Sequence, residues 1–369
     1  MKKIVHIITG LGSGGAENML YKLVKYSDKN KFQHEVISLM DKGIYGEKIE
    51  KLDIKVHTLN LTQKNIFKSF KKSREISKDA DVINTWLYHA DLFGFILAKM
   101  LLRKKLIWNI RHSNLEKNAN KSTTLKIIKI NSFLSKYVDI VTYNSNKALE
   151  THIDFGYKNT HSIVIPNGFE LDKFKFNLDA RRRKRNELNL TPNEKVIITV
   201  GRWDIQKDYY TLLKALNELN QITKSFKMLM VGSNLDRSNQ ELVDLINKYQ
   251  LNDNVILLGR QDDIPALLST ADIYISSSLG ESFSNSIGEA MACELHCVVT
   301  DVGDSKMIVG KTGKVVEAGD YKKIAEELDL FVKRININRN KSARQRIIKN
   351  YEIKKIENNY QEIWSSGYS

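Results

Sequence analysis

The sequence predicts an α/β protein made of two tandem Rossmann-like domains, each with a doubly wound parallel sheet. Three observations lead there. Apolar runs of strand length alternate with helical stretches along the chain; 369 residues exceed what one core ordinarily organises; and the alternation restarts after the turn signal Pro166-Asn167-Gly168. Repeated βα units return each strand parallel to the last through right-handed crossovers, which sets the sheet type.

The first element is a buried-type strand, Lys3 to Thr9, which meets Gly10-Leu-Gly-Ser-Gly-Gly15 and an amphipathic helix from Ala16 to Lys29. The glycines match G-x-G-x-x-G in the strand-to-helix setting of a dinucleotide site. Asp41, after the strand Glu35 to Leu39, stands near the place of a ribose-binding acid. An NAD-dependent oxidoreductase using this loop is therefore an alternative. By themselves the glycines say only that a ligand or backbone approaches closely.

The series continues through strand Lys55 to Thr58, helix Ile66 to Ser77, strand Val82 to Thr85, helix Asp91 to Leu102 and strand Leu106 to Arg111. Helix Thr123 to Ser135, strand Asp139 to Tyr143, helix Lys147 to Phe155 and strand Ser162 to Ile165 complete the half. A basic helical segment containing Arg181 to Arg185 opens the second series. Its strands are Lys195 to Val200, Phe226 to Val231, Val255 to Leu258, Ile273 to Ser276 and Val298 to Thr300. The domains are expected over 1–170 and 171–350.

Composition excludes several classes. Apolar content of 42% with only three prolines describes a folded chain. No stretch reaches the ~20 apolar residues of a membrane span, and Met1 to Thr9 is no signal peptide because a glycine loop follows it at once. A cytoplasmic protein, peripheral on the inner face of the cell membrane, is expected. The two cysteines, Cys293 and Cys297, suit a reducing compartment. With His296 between them they offer three metal ligands on a tight turn and no fourth, so the expectation is buried thiols and no metal.

The net charge of +15 is unevenly placed: residues 1–170 hold 28 Lys and Arg against 16 Asp and Glu, and residues 171–369 hold 30 against 27. Such an excess suits an anionic partner, either nucleic acid or a lipid surface. No recognised nucleic-acid module is present, so an anionic membrane surface is the expected partner, with no nucleic acid. The segment Lys117 to Lys136 sets Lys117, Lys121, Lys126, Lys129 and Lys136 beside Leu125, Ile127, Ile128, Ile130, Phe133 and Leu134. It suits an interfacial amphipathic helix, and equally a helix facing the domain core.

The stretch with most chemistry is GESFSNSIGEAMA, Gly280 to Ala292, which reads as a polar loop leading from a strand into a helix. Two carboxylates, Glu281 and Glu289, bracket small and hydroxyl residues whose N–H groups face outward at a helix start, a phosphate-binding arrangement. Carboxylates on both sides of a phosphate nest make sense when they accept neutral hydroxyls, as a sugar and a ribose offer. That combination points to a nucleotide sugar. The alternative is a capping box, Ser286-x-x-Glu289, in which Glu289 only reaches back to the helix start.

Arg202 and Lys207, in GRWDIQKD after the strand Lys195 to Val200, occupy the carboxyl end of a strand, where open α/β sheets bind ligands. At this point the chain resembles retaining glycosyltransferases of family 4, which have the two-Rossmann GT-B fold with a cleft between the domains. The motifs are GSGGAE (Gly12 to Glu17), IPNG (Ile165 to Gly168), GRW with Lys207, LLGR (Leu257 to Arg260), and the E-x7-E pair Glu281 and Glu289. Five elements in this order span nearly the whole chain.

The resemblance implies roles. Arg202 and Lys207 would hold the donor diphosphate and neutralise charge on it as it leaves, so that no metal and no other cofactor is demanded. Glu289 would bind the ribose, Glu281 would face the donor sugar and Arg260 would touch the base. Gly14, Gly15, Ser284, Asn285 and Ser286 would complete the donor site. His112, after the strand ending at Arg111, matches the histidine that relatives place near the donor sugar. Catalysis would thus rest on His112, Glu281, Arg202 and Lys207.

Trp86-Leu-Tyr-His-Ala-Asp91 resembles a stretch in relatives that build bacterial surface polysaccharides, making Trp86, Tyr88, His89 and Arg111 acceptor-side residues; the aromatic rings suit sugar stacking or a core edge. The family fold also implies that the segment 351–369, amphipathic over Ile353 to Trp364, packs back on the first domain. Asp79-Ala-Asp81 matches a D-x-D metal motif but precedes its strand, so it reads as a helix-to-strand junction. Where many relatives have Gly-Leu-Pro-Asn after the first glutamate, this chain has Ser282-Phe-Ser-Asn285; where they have Gly and Pro it has Glu294 and His296. The expected activity is retaining transfer of a sugar from a nucleoside-diphosphate donor, UDP-linked, to a glycan or lipid-linked acceptor. A nucleotide-sugar epimerase of the same fold is the other alternative.

Overall fold

The computed structural model describes residues 1–116, 121–158, 160–191, 194–333 and 338–367. The chain divides into two units, Met1–Gly168 with Ile353–Ser369, and Phe169–Glu352.

In the first unit β1 (Lys2–Ile8), α1 (Gly15–Tyr26), β2 (Phe32–Ser38), α2 (Gly43–Glu50) and β3 (Lys55–Thr58) are followed by α3 (Ile66–Ser77), β4 (Val82–Trp86) and α4 (Tyr88–Phe95). A π-helical stretch, Ile96–Leu102, extends α4. Then come β5 (Lys105–Ile110), α5 (Ser122–Leu134), β6 (Ile140–Tyr143), α6 (Asn146–Phe155) and β7 (Ser162–Val164). The seven strands form one parallel sheet in the order β3-β2-β1-β4-β5-β6-β7. The order reverses between β1 and β4, the topological switch point at which such sheets bind ligands.

In the second unit α7 (Leu178–Glu187) precedes β8 (Lys195–Val200), α8 (Tyr209–Ile222), β9 (Phe226–Val231), α9 (Gln240–Lys248) and β10 (Val255–Gly259). Next are α10 (Ile264–Thr270), β11 (Ile273–Ser276), α11 (Asn285–Ala292), β12 (His296–Thr300) and α12 (Ser305–Val309). β13 (Lys314–Val316), α13 (Tyr321–Val332) and α14 (Lys341–Tyr351) end the unit, and α15 (Ile353–Ser365) returns to the first. The six strands are again parallel, ordered β10-β9-β8-β11-β12-β13.

The period of two along each strand separates the cores. Ile4, Val82 and Ile107 enter one cluster of the first unit while their neighbours Val5, Ile83 and Trp108 enter the other. In the second unit Val196 and Ile198 face one cluster and Ile197 the opposite one. On α15 the residues Ile353, Ile356, Tyr360, Ile363 and Trp364 lie on one face and join the cluster containing Leu20, Leu23 and Val24 of α1. Lys105 Nζ closes the end of α15, donating to the carbonyls of Ile363 and Ser366, both at 2.6 Å, where the helix dipole favours a cation.

The basic segment after β5 splits its apolar residues. Ile128 is buried, and Leu125, Ile127 and Leu134 pack against the core, while Ile130 and Phe133 are exposed with Lys126 and Lys129. Lys129 Nζ stands 5.1 Å from the Phe133 ring centre. The helix begins at Ser122, later than the segment considered above, and Lys117 lies outside the described residues. No helix among the described residues is long and apolar enough to cross a membrane.

Candidate active site

The second unit gathers its chemistry at the carboxyl edge of its sheet. After β8 the chain turns through Gly201 and Arg202 into a tight helical turn, Ile205–Lys207. Asp204 organises it, accepting from the Gln206 N–H at 2.9 Å and from Arg202 Nε at 2.8 Å. A side chain at Gly201 would stand 2.9 Å from the Tyr209 hydroxyl and 3.3 Å from Lys207 Cε, so glycine is required for the lysine to fold over the backbone. Gly232, at φ +145°, backs directly onto the Gly201 carbonyl and fixes the same turn.

Lys207 and Glu281, 74 positions apart, form an ion pair through Lys207 Nζ and Glu281 Oε1. Ser278 Oγ donates to the same carboxylate oxygen at 3.2 Å. The two loops are stitched together: Ser277 Oγ donates to the Lys207 carbonyl and the Leu279 N–H to the Gln206 carbonyl, each at 2.8 Å. Thr300 Oγ1 holds the Ser278 carbonyl at 2.6 Å, and the Asp304 N–H holds that of Ser282 at 3.1 Å. Tyr209, stacked on Trp203 with ring centres 5.5 Å apart, keeps its proton: burial, then Glu281 and Asp204 beside it, push its pKa up. The serines Ser277 and Ser278 went unassigned in the sequence; the run of three hydroxyls at the end of β11 was the available signal.

The helix α11 corrects one expectation. It starts at Asn285, with Ser284 as the cap residue making no side-chain cap. Ser286 is therefore already inside the helix, and its hydroxyl accepts from the Tyr274 hydroxyl at 2.7 Å and lies 3.3 Å from Ser284 Oγ. The capping box Ser286-x-x-Glu289 does not form, and Glu289 sits in the second turn, half-buried, instead of the first. While accepting from Tyr274, the Ser286 hydroxyl keeps a second lone pair and its own proton to donate. Arg260 follows Gly259, which adopts φ +61°, and is exposed.

In the first unit Gly14 caps α1 and Gly15 opens it. The Glu17 carboxylate lies against Gly14 where a Cβ would be, and burial pushes its pKa up. His112 follows β5 and is half-buried. His89 stands half-buried in the first turn of α4, and burial lowers its pKa, so its ring is neutral at pH 7. Between β4 and α4, Leu87 holds φ +73°, a conformation that L side chains rarely adopt.

Two of the expected acceptor-side residues are instead packed into the first unit, and a third, Arg111, is half-buried with its guanidinium bonded there. Trp86 has no exposed surface, its ring stacking on Tyr360 at 6.2 Å under the Arg111 guanidinium. The Tyr88 hydroxyl bonds His152 Nε2 at 2.9 Å inside the core. Arg111 donates to Asn167 Oδ1 at 2.7 Å and to the Ile165 carbonyl at 3.2 Å, tying β5 to the turn after β7. Neither ring presents a face to a sugar; the polar atoms of all three residues find partners within the domain, which is what stabilises burial of such groups. Of the four, Arg111 and His89 retain partial access.

Other motifs resolve locally. Asp81 Oδ2 accepts from the Lys3 N–H at 2.7 Å, a junction between helix and strand. Cys293 and Cys297 are buried, and burial pushes the Cys293 thiol up to about 12. His296 bonds the Asn338 carbonyl at 2.9 Å. Asp41 is an exposed residue beyond the end of β2.

Two doubly wound units, one with a cation–carboxylate pair and a helix start on its carboxyl edge, define the class of two-domain α/β proteins that bind ligands at the carboxyl edge of a parallel sheet. Residues 13–173 match the family model described as Glycosyltransferase Family 4, and residues 180–352 match Glycosyl transferases group 1. The chain belongs to glycosyltransferase family 4 and has the GT-B fold.

Among curated relatives it is 26% identical over 252 residues to an N-acetyl-alpha-D-glucosaminyl L-malate synthase of Bacillus anthracis, covering 61% of this chain and 65% of that protein. It is 25% identical over 312 residues to the UDP-Gal:alpha-D-GlcNAc-diphosphoundecaprenol alpha-1,3-galactosyltransferase of Escherichia coli, covering 81% and 78%. The crystal structure of Anabaena Alr3699/HepE in complex with UDP and glucose superposes with a TM-score of 0.86 at 22% identity, covering all of both chains. The oxidoreductase and epimerase alternatives find no support in these matches.

Proposed function

We propose that this chain moves a sugar from a UDP-linked donor to a glycan acceptor on a lipid diphosphate, with retention of anomeric configuration and without a metal, in bacterial surface-polysaccharide synthesis. The observation that carries the reading is the Lys207–Glu281 pair at the carboxyl edge of the second sheet, four residues before α11 begins. The donor C1–O bond breaks with its electron pair leaving on the diphosphate, the acceptor hydroxyl oxygen bonds to C1 and gives its proton to the departing diphosphate, and Lys207 with Arg202 supplies positive charge where that charge builds. Glu281 then accepts hydroxyls of the sugar, and Glu289 those of the ribose. His112 serves on the sugar side and His89 on the acceptor side. The Escherichia coli relative, named for a diphosphoundecaprenol acceptor, and the UDP in the Anabaena structure support the choice of acceptor and donor class. Proton NMR of the product anomer, with chelator present, tests retention and metal independence together.

Glu289→Gln tests the donor site. A carboxylate accepting ribose hydroxyls makes charge-assisted bonds of roughly 1.5–3 kcal/mol, so calorimetric titration with UDP should show roughly ten- to hundredfold weaker binding. Glutamine keeps the shape of Glu289 and its capacity to accept a hydrogen bond, and no capping box with Ser286 is at stake, so the melting temperature should hold. Unchanged affinity with a lowered melting temperature would return Glu289 to a purely structural role.

The same reading puts the enzyme at the inner face of the membrane, where its acceptor lies. The exposed side of α5, with Lys126, Lys129, Ile130 and Phe133, is the proposed contact. Each cation beside an anionic leaflet contributes about 1 kcal/mol. Sedimentation with phosphatidylglycerol vesicles should therefore fall with salt, and fall again when Lys121, Lys126 and Lys129 become Glu. Equal partitioning of wild type and triple variant would exclude α5.

A further inference from the structure

The second unit is close to neutral, with 28 Lys and Arg against 26 Asp and Glu over residues 169–352. Against that background one recess stands out by its charge. It has a volume of about 630 Å³ and is lined by Lys306 of α12, Gly310, Lys311 and Thr312 of the turn that follows, and Gln345, Arg346, Lys349 and Asn350 of α14. Four of the eight lining residues are cations and none is an acid. Asp301, outside the lining, lies 3.4 Å from Lys306 Nζ. None of Arg202, Lys207, Arg260, Glu281 or Glu289 takes part.

The recess is shaped by backbone as well as charge. Arg346 Nε donates to the Ile308 carbonyl at 2.8 Å, and its Nη2 to that of Met307, so the guanidinium closes the carboxyl end of α12 and is held in one place. Gly310, at φ +52°, lets it lie against the chain; a Cβ there would come within 2.6 Å of Arg346 Cζ. Lys306 and Lys311 extend from the two sides of this fixed charge and are exposed. Gathering like charges in one recess is unfavourable by itself, and an anion that bridges them removes the repulsion.

We infer that this recess is a second anion-binding site, distinct from the donor site, for a ligand carrying two phosphate groups. The volume lies in the range of small-molecule sites. Three elements supplying four cations suit an ion of about three charges better than a monovalent one, since a fixed guanidinium and mobile ammoniums contact several oxygens at once. A dissolved diphosphate and one borne by a lipid present the same chemistry of recognition.

Lysine footprinting on the full chain tests the site residue by residue, independently of the transfer reading, because donor binding is followed separately at Lys207. Acylation rates of Lys306, Lys311 and Lys349 are measured by mass spectrometry in inorganic pyrophosphate, in sodium chloride of equal ionic strength, and with phosphatidylcholine vesicles doped with a lipid diphosphate. At about ten times its Kd, pyrophosphate should slow acylation of these three roughly tenfold, leaving Lys322 and Lys341 on the same unit unchanged. In the exposed double variant Lys306→Ala, Lys311→Ala the protection of Lys349 should be lost. Protection by vesicles and not by pyrophosphate assigns the same site to lipid phosphate. Equal protection by sodium chloride, protection shared by Lys322 and Lys341, or protection by neither phosphate source overturns the proposal.

Discussion

Replacing Lys207 by alanine is expected to lower turnover by about two to three decades, the usual loss when one preorganised group facing developing charge is removed. Two effects add in the same direction. The ammonium that meets the leaving diphosphate is gone, and Glu281, whose carboxylate it pairs, is left as an uncompensated charge beside an anionic donor. The loss should appear in kcat as well as in kcat/KM, because the charge met by Lys207 grows toward the transition state. The fold should survive: the loop is tied by backbone groups of Gln206 and Lys207 that the substitution leaves in place. Initial rates with and without chelator decide the matter. Activity abolished by chelation, with the alanine variant still active, would show that a metal carries the leaving-group chemistry.

Trp364→Ala should cost about 3–5 kcal/mol of stability, confined to the first unit. The indole is fully buried at the end of α15, edge-on to Phe32, His34 and His6 with ring centres 5.2 to 5.8 Å away. Its Nε1 donates to Asn84 Oδ1 at 3.2 Å on β4, so removal leaves both a cavity and an unpaired buried oxygen. Hydrogen exchange should accelerate through the amides of α15, β1 and β2, with those of β8 to β12 and the affinity for UDP unchanged. Equal acceleration in both units would refute the assignment of α15 to the first.

The same cluster sets a pH response. His34 is pushed down to about 4 by burial, and burial with the His34 charge lowers His6 as well. Both rings are neutral when folded, so the unfolded chain binds more protons below about pH 6.5. Stability of the first unit should therefore fall as pH drops from 6.5 toward 4, and less steeply in Trp364→Ala, where water reaches the rings.

Much of this architecture is written locally. Strands such as Lys195–Val200 and Phe226–Val231 are legible to the residue because an apolar run between turn signals has a period and a length of its own. The ligand loops are legible for the same reason: they follow strands, and Gly201, Arg202 and Lys207 fall where a parallel sheet offers its carboxyl edge. The short elements α2, α12 and β13 carry too few periodic residues to be read.

What the sequence by itself determined is thus the alternation of elements, the restart at the second domain, and the order of family motifs, each a property of neighbouring residues. Only the tertiary structure decided which side chains are used and which are consumed. Trp86 and Arg111 read as sugar contacts until α15, more than 240 positions away, brings Tyr360 against the one and within 3.3 Å of the other. For Ser286 and Glu289 a capping box stays open as the alternative to a ligand site until α11 starts at Asn285 and Tyr274 of β11 donates to the serine hydroxyl. Lys207 and Glu281 read as two separate site residues until adjacent strands bring their loops into an ion pair. A hydrogen bond or ion pair depends on distance in space, and for residues far apart in the chain that distance exists only once the sheets have formed.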